Sequence, residues 1–200
     1  MDLFTSQYDK IPLEIPDGDV SYYPAFFDKS KADHLFEVLK ESIKWQQDDI
    51  KVFGKVYKQP RLTALYANNK NTYTYSNITM KPHQFTDELL MIKEKIEKIS
   101  SGIFTTCLLN LYRDGQDSNG WHADNEKELG VEPIIASVSL GEERSFHFKH
   151  KTKDLKQKIQ LQHGSLLIMK GKTQENWLHQ IPKSKKIMKP RINLTFRIID

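Results

Sequence analysis

Two hundred residues, 38% hydrophobic and 28% charged, suit one globular domain with its own core, and no shift in composition divides the chain. The net charge of +4 and pI near 8.9 are too mild to name a partner. No apolar run approaches the length of a membrane helix, the N-terminal MDLFTSQYDK lacks the basic-then-apolar order of a secretory signal, and the lone Cys107 cannot form an internal disulfide. The expectation is a monomer of the cytosol or nucleus with no membrane partner, in which Cys107 fills core space.

Helical spacing appears first in SKADHLFEVLKESIKW, where Leu35, Phe36, Leu39 and Ile43 recur on one side. Ser30 and Asp33 stand there at capping-box spacing, with Asp where Glu or Gln is usual. A second helix is expected in TDELLMIKEKIEKIS, with Leu89, Ile92, Ile96 and Ile99 on one side. From about residue 104 the period changes to two. FTTCLLNLY, PIIASVSL, RSFHFKH, QKIQLQ, GSLLIMK and RINLTFRII are short β-rich runs between turn residues, the pattern of an antiparallel sandwich or barrel. An all-β C-terminal half would then take its helices from the N-terminal half. Lysines gather at KHKTKDLKQK and at PKSKKIMKPR, two patches that could face a polyanion or simply line solvated turns.

The strand alternation carries the first chemistry. In RINLTFR, Ile192, Leu194 and Phe196 share one face, and Arg191, Asn193, Thr195 and Arg197 the other. In CLLNLYRDG, Asn110 and Tyr112 share a face opposite Leu109 and Leu111. Two strands with directional polar groups on one face suit the lining of a binding cavity.

GWHADNEKELG adds His122 and Asp124, which point the same way if the segment is extended and could reach one ion. Of the remaining histidines, His34 lies in the first helix, His83 follows a proline, His147 and His150 belong to a charged strand, and His163 opens a turn. His179, in ENWLHQIP, remains as the third ligand. Two imidazoles and one carboxylate form a facial triad with open positions, suited to Fe(II) and oxygen, although zinc also accepts this set. A dicarboxylate chelating iron by its 2-oxo acid end would leave its other carboxylate for a planar guanidinium, Arg197 or Arg191, with Asn110 and Tyr112 as neutral donors.

Together NLYRDGQDSNGWHADNEKEL, IIASVSLGEERSFHFKHK, LQHGSLLIMKG, NWLHQIPKSKK and PRINLTFR resemble the AlkB-like Fe(II)- and 2-oxoglutarate-dependent dioxygenases, closest to the branch that repairs double-stranded DNA. The resemblance implies a mostly β fold with flanking helices: a double-stranded β-helix, or jelly-roll, over residues 104–200, and an N-terminal nucleotide-recognition lid within 1–103. It implies Fe(II) on His122, Asp124 and His179, with 2-oxoglutarate and O2 as cosubstrates. Asn110, Tyr112, Arg191, Asn193 and Arg197 would surround 2-oxoglutarate, Arg197 taking the distal carboxylate and Arg191 lying nearer the iron.

Upstream, VFGKVYKQPRLTALYANN and YTYSN resemble the recognition lid of that branch. Val52, Phe53 and Gly54 occupy the position of a finger that fills the gap left by a flipped base. Arg61, Tyr73 and Tyr75 match lid positions, and Glu126 would contact the exocyclic edge of the base. Lys183, Lys185 and Lys186 could hold phosphates beside the site. The implied activity is oxidative demethylation of 1-methyladenine and 3-methylcytosine lesions in DNA, with formaldehyde released. Rival readings are an RNA or protein substrate, or a barrel that binds without catalysis.

Overall fold

In a computed structural model, which describes residues 9–52, 54–69, 73–75 and 78–199, the chain opens with β1 (Ile11–Leu13), β2 (Asp19–Tyr23) and α1 (Lys29–Ser42). There follow β3 (Asp49–Val52), β4 (Lys55–Lys58), β5 (Leu62–Ala67), β6 (Tyr73–Tyr75), β7 (Ile78–Met80), β8 (His83–Gln84) and α2 (Asp87–Glu97). The remainder runs β9 (Thr106–Tyr112), β10 (Asn119–His122), β11 (Ile135–Gly141), β12 (Arg144–His150), β13 (Lys156–Leu161), β14 (Ser165–Lys170), α3 (Thr173–Asn176), β15 (Trp177–Ile181) and β16 (Arg191–Arg197).

Twelve of the strands form a major sheet in the order β1-β2-β14-β11-β16-β9-β5-β8 and a minor sheet in the order β10-β15-β12-β13, while β3-β4 and β6-β7 are separate two-stranded sheets. The major sheet buries one face under the helices, where Leu109, Leu111, Ile192, Leu194 and Phe196 meet Leu35, Leu39, Leu89, Ile92 and Ile96. Its other face turns to the minor sheet, where Leu108, Ile135, Leu167 and Met169 pack with Phe146, Phe148 and Trp177. The polar face of β16 and β9 therefore looks into the space between the sheets, as the alternation required. The jelly-roll fold expected from the resemblance is present.

Two expectations need correction. The N-terminal half supplies strands as well as helices: β1, β2, β5 and β8 complete the major sheet, with β2 on β14 and β5 on β9. The Ser30–Asp33 box does not cap α1. The N-cap is Asp28, whose side chain accepts from Lys31 N at 2.8 Å, while Asp33 pairs with Lys29. The shorter Asp at 33 cannot reach back as Glu would. Thr86 caps α2, accepting from Leu89 N. Cys107 is buried, and burial pushes its thiol pKa well up.

Candidate active site

Two strands absent from the sequence expectation, β10 and β15, set the histidines. Their register places His122 directly opposite His179, with ring centroids 4.2 Å apart. Phe146 stacks on His179 at 5.2 Å, and Phe148 meets it edge-on. Burial, then the neighbouring His122, pushes the His179 pKa down to about 3, and burial lowers that of His122 too. Both rings are thus neutral at pH 7, the state that binds a metal. His122 Nδ1 lies 2.7 Å from the Gly120 carbonyl. Donation there fixes the tautomer and puts the lone pair on Nε2, which Asn119 Nδ2 approaches at 3.2 Å and which an ion would take in its place.

Asp124 lies beyond the end of β10, in irregular backbone, and is 1% exposed. Burial would raise its pKa, but Arg197, then His179 and His122, outweigh it and hold the carboxyl down at about 2. Arg197 Nη2 stands 2.9 Å from Asp124 Oδ1, both side chains buried. The ligand atoms of His122, Asp124 and His179 lie within 4.8 Å of one another, the one such cluster among the described residues.

These three residues open on a cavity whose walls also include Asn110, Tyr112, Arg191, Asn193 and Arg197. Backbone pairing explains the convergence: β9 and β16 set Tyr112 opposite Arg191 and Asn110 opposite Asn193, while β11 sets Ser139 opposite Asn193. Asn193 Nδ2 donates to Ser137 Oγ at 2.7 Å, so the wall is itself cross-braced.

Arg191 is 1% exposed. Its Nη2 donates to Ser139 Oγ at 2.9 Å, whereas Nε and Nη1 are buried and make no hydrogen bond. Burial lowers its pKa to about 10, which still leaves the group charged at neutral pH. A buried cation with unused donors costs the fold several kcal/mol unless an anion meets it.

The arginines stand in the opposite order to that expected. Arg197, opposite Thr106 at the start of β9, is the one beside the triad; Arg191, opposite Tyr112, is at the far end. Six residues of strand separate their backbones by roughly 20 Å.

The residues expected to meet the base divide. Arg61 is buried, donating from Nε to Asn110 Oδ1 at 2.7 Å and from Nη1 to the Ser118 carbonyl at 3.1 Å, so it braces the cavity wall from the start of β5. Glu126 is half-buried with an unpaired Oε2, and burial, with Asp124 nearby, raises its pKa. Phe53 lies outside the described residues, between Val52 at the end of β3 and Gly54, whose φ of 79° turns the chain into β4. Tyr73 and Tyr75 lie on β6, in register with Met80 and Ile78; their side chains fall outside what is described. Lys183, Lys185 and Lys186 are exposed on the loop after β15.

One residue went unnoticed in the sequence. Arg144 is buried, lies over the Tyr112 ring at 5.6 Å, and donates to the carbonyls of Asp114, Asp117 and Pro182 at 3.1, 2.9 and 2.7 Å. Its signal was a charge on the inward face of RSFHFKH, in phase with Phe146 and Phe148.

A sequence profile of the 2OG-Fe(II) oxygenase superfamily matches residues 19–197. Alpha-ketoglutarate-dependent dioxygenase alkB homolog 3 of Bos taurus is 44% identical over 191 residues, covering 88% of this chain and 64% of its own length. DNA oxidative demethylase ALKBH2 of Bos taurus is 37% identical over 188 residues, covering 88% of this chain and 68% of its own. The chain thus spans just under two thirds of the first of these relatives. Among solved structures, that of OsALKBH1 superposes with a TM-score of 0.61 at 18% identity, covering 94% of this chain and 100% of the other, a likeness of fold.

Proposed function

The chain belongs to the 2OG-Fe(II) oxygenase superfamily, and on that premise we propose that it removes N-methyl groups from alkylated bases in DNA by direct oxidation. The carrying observation is a triad of two neutral imidazoles and one carboxylate, buried at Asp124 and His179 and partly exposed at His122, opening on a cavity that also holds a charged guanidinium with two nitrogens that make no hydrogen bond. That donor set fits Fe(II), and Arg191 beside Tyr112 fits the distal carboxylate of 2-oxoglutarate. A zinc hydrolase would have no use for Arg191 at that depth.

When bound, ferrous iron with 2-oxoglutarate and O2 supplies the oxidation of an N-methyl carbon to hydroxymethyl, 2-oxoglutarate leaving as succinate and CO2. Everything else falls to the chain. His122, Asp124 and His179 would hold the ion, and Arg191, Tyr112, Asn110 and Asn193 would orient the cosubstrate. Phe146 and Phe148 keep water from the histidine ring. The hydroxymethyl group on a ring nitrogen then collapses to formaldehyde and the restored base. Lesions such as 1-methyladenine and 3-methylcytosine are cationic and poorly paired, which lowers the cost of flipping, and Glu126 favours a positive base beside it.

DNA as substrate is supported by the name of the ALKBH2 relative, DNA oxidative demethylase. Duplex preference and action as a monomer are finer parts of the same proposal; the former turns on Phe53.

The test is formaldehyde release, with base identity read by mass spectrometry, from matched 1-methyladenine oligonucleotides as duplex DNA, single-stranded DNA and RNA. Reactions contain Fe(II), ascorbate and 2-oxoglutarate, and His122→Ala is the blank. Repair dependent on 2-oxoglutarate and His122, and faster on the duplex, is expected. Repair of RNA alone would move the substrate, and no repair of any strand would overturn the demethylase reading.

A further inference from the structure

The metal ligand least supported by secondary structure is Asp124. His122 and His179 sit on paired strands, but Asp124 follows the end of β10, where no ladder hydrogen bond fixes the backbone. Its main-chain N–H instead donates to Gln174 Oε1 at 2.9 Å, in a fully buried contact across fifty residues of sequence. We propose that Gln174 is a positioning residue that sets how Asp124 presents its carboxylate to the metal, an inference that rests on the triad being the metal centre.

Gln174 is 1% exposed and is held from both ends. Its Nε2 points at Met169 Sδ, 3.6 Å away. A thioether only accepts, so the amide nitrogen faces Met169 and the oxygen faces Asp124. The turn beneath is anchored in its own right: Thr173 Oγ donates to the Lys170 carbonyl at 2.6 Å and accepts from Asp19 N at 2.9 Å, while Lys151 Nζ donates to the Gln174 carbonyl at 2.9 Å. The backbone of Asp124 is thus tied to this turn while its Oδ1 is drawn to Arg197, so the carboxylate is held from two sides. A side chain that only filled space would need neither the oxygen nor its direction.

The experiment uses Co(II), which reports both affinity and coordination geometry in its visible spectrum. Gln174→Met keeps the volume and removes the acceptor. It is expected to weaken Co(II) binding about tenfold or more, the usual effect of losing an outer-shell partner, and to change the spectrum. Gln174→Glu keeps an oxygen for the Asp124 N–H and is expected to bind within about threefold of the parent, since the charge it adds lies outside the ligand set. Should Gln174→Met fail to fold, Thr173→Val loosens the turn with Gln174 intact, and weaker Co(II) binding is again expected. A folded Gln174→Met, or Thr173→Val in its place, with parental affinity and spectrum overturns the inference, whatever its melting temperature. A parent protein that binds no Co(II) overturns the metal centre itself.

Discussion

At the scale of single residues, Arg191 and Arg197 look interchangeable in RINLTFR and are not. Arg191 has donors to spare, so Arg191→Lys, which keeps charge but loses the planar fork, should raise the KM for 2-oxoglutarate about tenfold or more and leave the melting temperature nearly unchanged. Arg197 is engaged by a buried carboxylate, so Arg197→Met should destabilise the metal-free protein by about 3–5 kcal/mol, the cost of an unpaired buried charge. Steady-state kinetics and chemical denaturation of both variants separate the roles, and a reversal of the two effects would restore the order first expected. The residues of the cavity were legible in the sequence because each is a polar interruption of an apolar alternation. Which arginine sits by the metal was not, because it depends on the register of β16 against β9 and on where His122 falls relative to both.

At the scale of elements, the β9–β10 loop and the loop after β15 form one joint. Ser184 N donates to the Gly115 carbonyl at 2.7 Å, Gln116 Nε2 donates to the Ser184 carbonyl at 3.0 Å, and Arg144 ties both loops from below. Gly115 is required there by contact: a Cβ would stand 2.8 Å from the carbonyl oxygens of both Ser184 and Lys186. Gly115→Ala should therefore push the lysine-bearing loop outward while leaving the cavity wall intact. Weaker nucleic-acid binding with a shallower salt dependence is expected, at unchanged KM for 2-oxoglutarate. An unchanged salt slope would return Lys183, Lys185 and Lys186 to the status of solvated surface. Nothing local in RDGQDSNG or PKSKKIMKPR announces that these segments touch, since they lie far apart in the chain and meet only because β10 and β15 pair.

At the scale of the molecule, the two long helices and the longer C-terminal strands were legible, while the short strands and the partners of all of them were not. β2 was not among the expected strands, and it pairs with β14, far along the chain. The sandwich places its helices behind the major sheet and leaves the minor sheet to close the cavity. That minor sheet ends in β10, a strand of four residues with a register shift, carrying one proposed metal ligand, His122, opposite another, His179 on β15. An ion shared by His122 and His179 is therefore also a clasp on a sheet edge. At a free-metal concentration a hundred times its dissociation constant, binding contributes about 2.7 kcal/mol, enough to slow opening of that edge roughly a hundredfold. Hydrogen exchange should show the β10 amides exchanging faster after chelation and recovering with Mn(II), while β9 and β16 stay protected; equal exchange in both states would break the link. The metal content of a preparation would then be written in the breathing of one short strand, readable before any substrate is added.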